Sequence, residues 1–255
     1  MSDYELIAPY YDLEHANYQD DIDLYLNYAA ACGSPLLEIG CGTGRLLLPL
    51  AQHGFQIVGV DNSPAMLARA RQRLEAHGML AHVELIEADA RTLQLTQRFR
   101  LAFVGVNSFA YFTTRDEQRA VLTTLHAHLL ASGLLILDLP HADLRHYQQA
   151  EGQLFHQGTW LDQSRNEMVS HLVAATSDTT GRVLYLTHFY DAHPQDGPLR
   201  RTVVQSALAL LSPGEAGLLV ESCGFRLLHL FGDYELHSCE EESPRLIVVA
   251  GRQPT

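Results

Sequence analysis

Apolar and polar positions follow a repeating order along the chain. Residues 36–39 are Leu-Leu-Glu-Ile, an apolar run that enters Gly40, Gly42 and Gly44 at alternate positions. A leucine-rich helical pattern then runs to Gly54. A short run bounded by turn residues predicts a strand, here followed by a glycine turn and a helix. Further strand-length apolar runs lie at 56–60, 83–87, 101–106 and 134–139. Between them the apolar residues take helical spacing. Ser63 and Pro64 suit an N-cap and a first helical position. Val121, Leu122, Leu125 and Leu129 form the inward face of a helix predicted over 117–131 and closed by Ser132-Gly133. Upstream, Ile22, Tyr25, Leu26 and Ala29 predict a helix over 20–31, ended by Gly33-Ser34-Pro35. Strands alternating with helices predict a parallel, doubly wound sheet.

That alternation stops after residue 141. Residues 166–175, 182–190 and 201–211 have strand-like composition, punctuated by Gly181 and by Pro194 and Pro198. They predict an antiparallel β-sheet inserted over 142–211. No flexible linker precedes it, so it is expected to cap the main domain, either over the substrate end or as the contact of a homodimer. The main domain comprises 1–141 and 212–255. Its last part is a helix over 214–222, started by Ser212-Pro213 and ended by Gly224. Two strands follow, at 225–230 and 245–251, with an acidic loop containing Glu240, Glu241 and Glu242 between them. The loop is expected to be a solvated turn.

Composition narrows the function classes. The chain has 255 residues, 47% hydrophobic and 18% charged, enough for a sizeable core. Its formal net charge is −13, with the basic residues scattered rather than clustered. A nucleic-acid partner is therefore not expected. No apolar run reaches the length of a membrane span, so no membrane partner is expected either. Cys32, Cys41, Cys223 and Cys239 show no CxxC spacing, and the fourteen histidines form no HExxH pair. This fits a reduced, cytoplasmic setting with no metal site.

The chemistry collects at the predicted strand ends, where open α/β sheets bind ligands. A glycine turn opening onto a helix can take positive φ and bring backbone N–H groups to an anionic group. Its third glycine comes two residues after the second, not three as in the dinucleotide fingerprint. Asp61, at the end of the second strand, can accept two hydrogen bonds from vicinal ribose hydroxyls. After the third strand, Asp89 can accept an adenine amine, with small Ala90 leaving room for the ring. Asn107 and His141 follow the fourth and fifth strands.

Glu38-x-Gly40-x-Gly42-x-Gly44 resembles motif I of the class I S-adenosylmethionine-dependent methyltransferases. Tyr10-Tyr11-Asp12 and the insertion resemble the small-molecule branch of that family. The resemblance runs over residues 36–139 and from 212 onward. It implies a doubly wound, seven-stranded, mostly parallel Rossmann-like sheet, closed by an antiparallel hairpin and carrying the inserted sheet. It implies S-adenosylmethionine as cofactor and methyl transfer to N, O or C of a small molecule. By the resemblance, Glu38 orients the turn and meets the methionyl ammonium, and the three glycines line the amino-acid part. Asp61 holds the ribose, Asn62 and Met66 flank the adenosine, and Asp89 with Ala90 reads adenine. Tyr10, Tyr11 and Asn107 complete the expected cofactor contacts. Should the reaction need a base, the candidates are His141, Tyr11 and Tyr190. The tyrosines Tyr4, Tyr10, Tyr11 and Tyr18 either pack statically or form a flap over the cofactor. Two other classes stay open: a nicotinamide-dependent oxidoreductase, which would share the first strand–helix–strand unit, and a non-catalytic nucleoside-binding protein.

Overall fold

The computed structural model describes residues 3–141 and 152–253, with side chains from residue 5. The side chain of Tyr4 and the first part of the expected insertion lie outside the described residues.

The short apolar runs become the strands of a seven-stranded sheet. In chain order these are β1 (Leu36–Ile39), β2 (Ile57–Asp61), β3 (Val83–Glu87), β4 (Phe99–Val104), β5 (Leu129–Pro140), β10 (Phe225–Phe231) and β11 (Arg245–Arg252). Their order across the sheet is β10-β11-β5-β4-β1-β2-β3. The pairs from β5 to β3 are parallel, and β11 runs antiparallel between β5 and β10. Side chains alternate between faces with a period of two. On β11, Leu246, Val248 and Ala250 enter one core and Ile247 and Val249 the other. The first core is covered by α5 (Arg115–His128) and α6 (Pro213–Ser222). The second is covered by α2 (Ile22–Cys32), α3 (Leu47–Gln52) and α4 (Pro64–Ala76). Burial on both faces is why the central strands β1, β2, β4 and β11 read as continuous apolar runs.

A four-stranded antiparallel sheet forms the insertion: β6 (Leu154–Asp162), β7 (Glu167–Ser177), β8 (Val183–Pro194) and β9 (Arg200–Ala209), in that order. β6 was not legible in the sequence. It is an edge strand with mostly exposed side chains, so it carries no apolar alternation. Val173, Ala175, Leu184, Leu186 and Leu208 of this sheet pack over Ala110, which follows β4.

Three further boundaries differ from the sequence reading. The helix expected to reach 131 stops at His128, and β5 starts at Leu129, so Ser132-Gly133 lies inside a strand. The pairing with β4 jumps from Phe99 opposite Leu129 to Leu101 opposite Leu134. Burial of Leu129 against the core outweighs the helical pattern there. The leucine-rich pattern that enters from the glycine turn becomes helix only from Leu47, and Pro49 sits in the first turn of α3. First-turn N–H groups have no partner within the helix, so proline removes nothing there. Finally, the tyrosine-rich N-terminus is a helix, α1 (Asp3–His15), with Pro9 inside it. It wedges between α4 and the inserted sheet, where Ile7, Ala8 and Tyr10 meet Met66, Val169, Tyr190 and Val204. Among the described residues no helix is long and apolar enough to cross a membrane.

Candidate active site

The glycine turn sets the floor of the site. Gly40 has φ +72°, and a Cβ on it would lie 2.8 Å from the Ser108 side chain. Gly42 has φ +52° and open space where its Cβ would be. Packing therefore does not explain the second glycine; its left-handed backbone and clear face toward the cavity do. Gly44 instead fits against Ala70 of α4. The Gly42 N–H donates to Asp61 Oδ2 at 2.8 Å, and the Ser63 N–H donates to Asp61 Oδ1 at 2.9 Å. One carboxylate thus ties the turn after β1 to the start of α4. Burial pushes the Asp61 carboxyl up, and the backbone N–H bonds oppose it.

Glu38 lies beneath the turn, buried, and its Oε2 has no hydrogen-bond partner. Burial holds this carboxyl well above the usual carboxylate range; Arg45 pulls the other way. Arg45 is itself committed to Asp21, with Nη1 and Nη2 at 2.7 and 2.6 Å from the two carboxylate oxygens. An unpartnered buried acceptor is costly unless something fills it.

At the end of β3, Asp89 is covered by Arg91, whose Nη2 donates to Oδ2 at 2.6 Å and whose backbone N–H donates to Oδ1 at 2.8 Å. These bonds hold Asp89 below its ordinary pKa. Arg91 also bonds Glu117 at 2.7 Å. Asn107, after β4, takes φ +63°. Its Oδ1 accepts from Arg245, which is paired with buried Asp138. Tyr234 donates to the other oxygen of Asp138 and receives a bond from Tyr18. This network spans β4, β5 and β11 and leaves the Asn107 amide NH2 available.

These groups share one cavity of about 360 Å³ with α1 and the inserted sheet. Of the expected residues, Tyr11, Gly40, Gly42, Asp61, Asn62, Met66, Asp89, Ala90, Asn107 and Tyr190 line it. Burial pushes the Tyr11 phenol up to about 12, and its ring stacks on His15 at 4.1 Å. Tyr10 stands behind the wall, stacked on Tyr190 at 4.4 Å and bonded to Thr202. Glu38 and Gly44 lie under the floor. His141 is elsewhere: its Nδ1 donates to the Ser243 carbonyl at 3.0 Å, in an open hollow beside Cys239 and Glu240. The fifth strand ends past the cavity, which a count of strand ends could not reveal. Glu14 and His171 also line the cavity and were not singled out from the sequence. Each lies on an element whose approach to the site only the packing determines. Among the described residues no cluster could hold a metal ion.

Residues 36–133 match a family model described as a methyltransferase domain. The chain is 26% identical over 222 residues to the cypemycin N-terminal methyltransferase of a Streptomyces species, covering 87% of this chain and 84% of that one. It is 32% identical over 108 residues to the carboxy-S-adenosyl-L-methionine synthase of Vibrio campbellii; the match covers 41% of this chain and less than half, 43%, of that protein. The CcbJ methyltransferase of Streptomyces caelestis superposes with a TM-score of 0.82 at 24% identity, covering 99% of both chains, a likeness of fold. The match to a methyltransferase domain thus spans residues 36–133, and the superposition shows that the seven-stranded order and the inserted sheet form a fold shared with that methyltransferase.

Proposed function

We propose that the protein transfers a methyl group from S-adenosylmethionine to N, O or C of a small molecule. The observation that carries this reading is the convergence of the glycine turn, Asp61 and Asp89 from three adjacent strand ends on one cavity, with buried Glu38 Oε2 unfilled beneath it. The residues fit the cofactor chemically. Gly40, Gly42 and Glu38 would take the methionyl part, with Tyr11 beside it. Asp61 would accept from the ribose hydroxyls. Asn62 and Met66 would flank the adenosine, and Asp89 and Ala90 would meet adenine once Arg91 yields part of its exposed ion pair, which is worth little. Asn107 supplies an amide donor fixed by Arg245. When bound there, S-adenosylmethionine would supply an activated methyl on a cationic sulfur.

The chain's own contribution is to orient and to exclude water. α1 closes one side of the cavity and the inserted sheet another, which suits a reaction that gains most from alignment at about 3–3.5 Å. The nicotinamide reading is disfavoured by the glycine spacing and by the antiparallel β10–β11 pair. A small-molecule substrate, no nucleic-acid partner and a cytoplasmic setting go with the proposal, since the net charge of −13 repels polyanions. Calorimetry tests it: S-adenosylhomocysteine is expected to bind and NAD is not. Tighter binding of NAD would overturn the proposal. Asp61→Ala is expected to weaken S-adenosylhomocysteine by about 1.5–3 kcal/mol, the scale for bonds to a charged group.

A further inference from the structure

The wall of the cavity opposite the strand ends is an aromatic stack with one carboxylate set into it. Tyr10, Tyr190 and His171 stack in parallel, with centroids 4.4 and 4.3 Å apart, and His188 continues the row 5.2 Å from His171. Glu14 of α1 faces the row, with Oε1 2.9 Å from His171 Nδ1. That contact lacks in-line hydrogen-bond geometry, so the buried Oε1 has no hydrogen-bond partner and keeps an unfilled acceptor direction. The other nitrogens are all used. His171 Nε2 is 3.0 Å from His188 Nδ1, and His188 Nε2 is 2.9 Å from Ser206 Oγ. With Glu14 ionised, one proton assignment suits the whole row: His171 carries its proton on Nδ1, His188 donates to His171, and Ser206 donates to His188. Burial and the neighbouring His171 push His188 down to about 4, so it is neutral at pH 7. The remaining titratable groups around Glu14 are Tyr10, Tyr11, Tyr111, Tyr190 and His15. Burial raises the Tyr11 and Tyr190 phenols and lowers His15, leaving all three neutral near pH 7.

The charge balance of the cavity favours a cation. Its wall carries Glu14, Asp61, Asp89 and Glu117 against Arg91, and Arg91 is already bonded to Asp89 and Glu117. The chain contains no lysine, and among the described residues no arginine pairs with Glu14.

We propose that Glu14 is the acceptor-binding carboxylate and general base of this site, and that the substrate is a small molecule whose reacting atom is a protonated amine. The proposal rests on the methyltransferase reading and narrows it from N, O or C to nitrogen. The ammonium docks on Glu14 Oε1 against the faces of Tyr190 and His171, which attract a cation. It gives one proton to the Glu14 carboxylate. The freed nitrogen lone pair forms the N–C bond to the methyl carbon while the C–S bond breaks and its electron pair stays on sulfur. The products are a methylated ammonium and a neutral thioether, and Glu14 then returns its proton to solvent. His171 is a positioning residue, its Nδ1 2.9 Å from Glu14 Oε1.

Sinefungin carries an ammonium where the cofactor carries its sulfonium methyl, so it probes Glu14 without knowledge of the substrate. The wild-type protein is expected to bind sinefungin at least tenfold more tightly than S-adenosylhomocysteine at pH 7. Glu14→Gln is expected to abolish that preference while leaving S-adenosylhomocysteine affinity within twofold. Glu14→Asp keeps the charge and is expected to retain part of it. An unchanged preference in both variants would overturn the role of Glu14. So would methylation of hydroxyl acceptors, but not of matching amines, by a protein that binds S-adenosylhomocysteine normally. Failure of both cofactor analogues to bind would instead refute the methyltransferase reading itself.

Discussion

Glu38 shows how a single side chain links site and stability. Its carboxyl is held well above the ordinary range by burial, so the folded protein binds that proton more tightly than the unfolded chain. The stability this contributes is fully present below the ordinary carboxylate pKa and is lost as pH rises through the raised value. Glu38→Gln carries no charge at any pH. In the cofactor-free protein it is expected to raise the melting temperature at pH 8 by about 2–4 °C, the shift that 1 kcal/mol gives a chain of this size. The gain should shrink as pH falls, and S-adenosylhomocysteine should bind more weakly. Melting curves at pH 8 and near pH 5 check the first point; an equal gain at both would mean that the charge is not responsible. Arg45 is the opposite case. Asp21 is wholly buried and Arg45 nearly so, and removing one partner strands the other. Arg45→Met is expected to cost about 3–5 kcal/mol, and Asp21→Asn in the same chain to recover much of it, measured by urea unfolding.

At the scale of elements, α1 is, with β6, a piece the sequence did not announce. Tyrosines and Pro9 are poor helix formers, and its apolar face meets two different partners, so no clean amphipathic stripe appears. What fixes it is a polar latch. Asp12 accepts from Thr43 at 2.7 Å, Arg73 at 2.7 Å and Arg69 at 3.1 Å, and Glu5 accepts from Ser63 at 2.9 Å. The latch ties α1 to the glycine turn and to α4, the two elements that frame the cavity floor. Asp12→Ala is expected to weaken S-adenosylhomocysteine binding by about 1 kcal/mol, roughly fivefold, a modest loss because these pairs are partly open to solvent. It should also speed amide exchange over Asp3–His15. In the wild type, ligand should slow exchange over the same helix. Tyr11→Ala should reduce turnover more than Tyr11→Phe, which keeps the stack on His15. Unchanged exchange together with full turnover in Tyr11→Ala would leave α1 as static packing.

For the whole molecule, the cavity is a junction between two sheets and one helix, and the inserted sheet contributes only part of its surface. His188 and Tyr190 of β8 line the cavity. Trp160 of β6 does not; it packs on its own strand, where a Cβ on Gly158 would lie 2.6 Å from its ring. Substitution of His188 or Tyr190 by Ala is expected to lower methyl transfer tenfold or more, about 1.4 kcal/mol in the barrier, with a smaller effect on S-adenosylhomocysteine affinity. Trp160→Phe should leave both nearly unchanged. Parallel turnover and calorimetry check the division; equal loss of both in the His188 and Tyr190 variants would count against an acceptor role for the sheet.

The sequence by itself determined the local grammar. Short apolar runs marked β1 to β3, of which β1 and β2 are buried on both faces, Ser63 and Ser212 marked helix starts confirmed by their capping bonds, and the glycine turn with Asp61 marked the floor of the cavity. These signals are local because a strand, a cap or a tight turn is satisfied by its own neighbours in the chain. Only the tertiary structure decided what meets across the cavity. Glu14 and His171 are 2.9 Å apart but come from α1 and β7, and His141, placed by chain order at a strand end, points into another hollow. Side chains far apart in the chain are brought together by the burial of Ile7, Tyr10 and Tyr190 in a shared core, a free energy spread over many residues and written in no single motif.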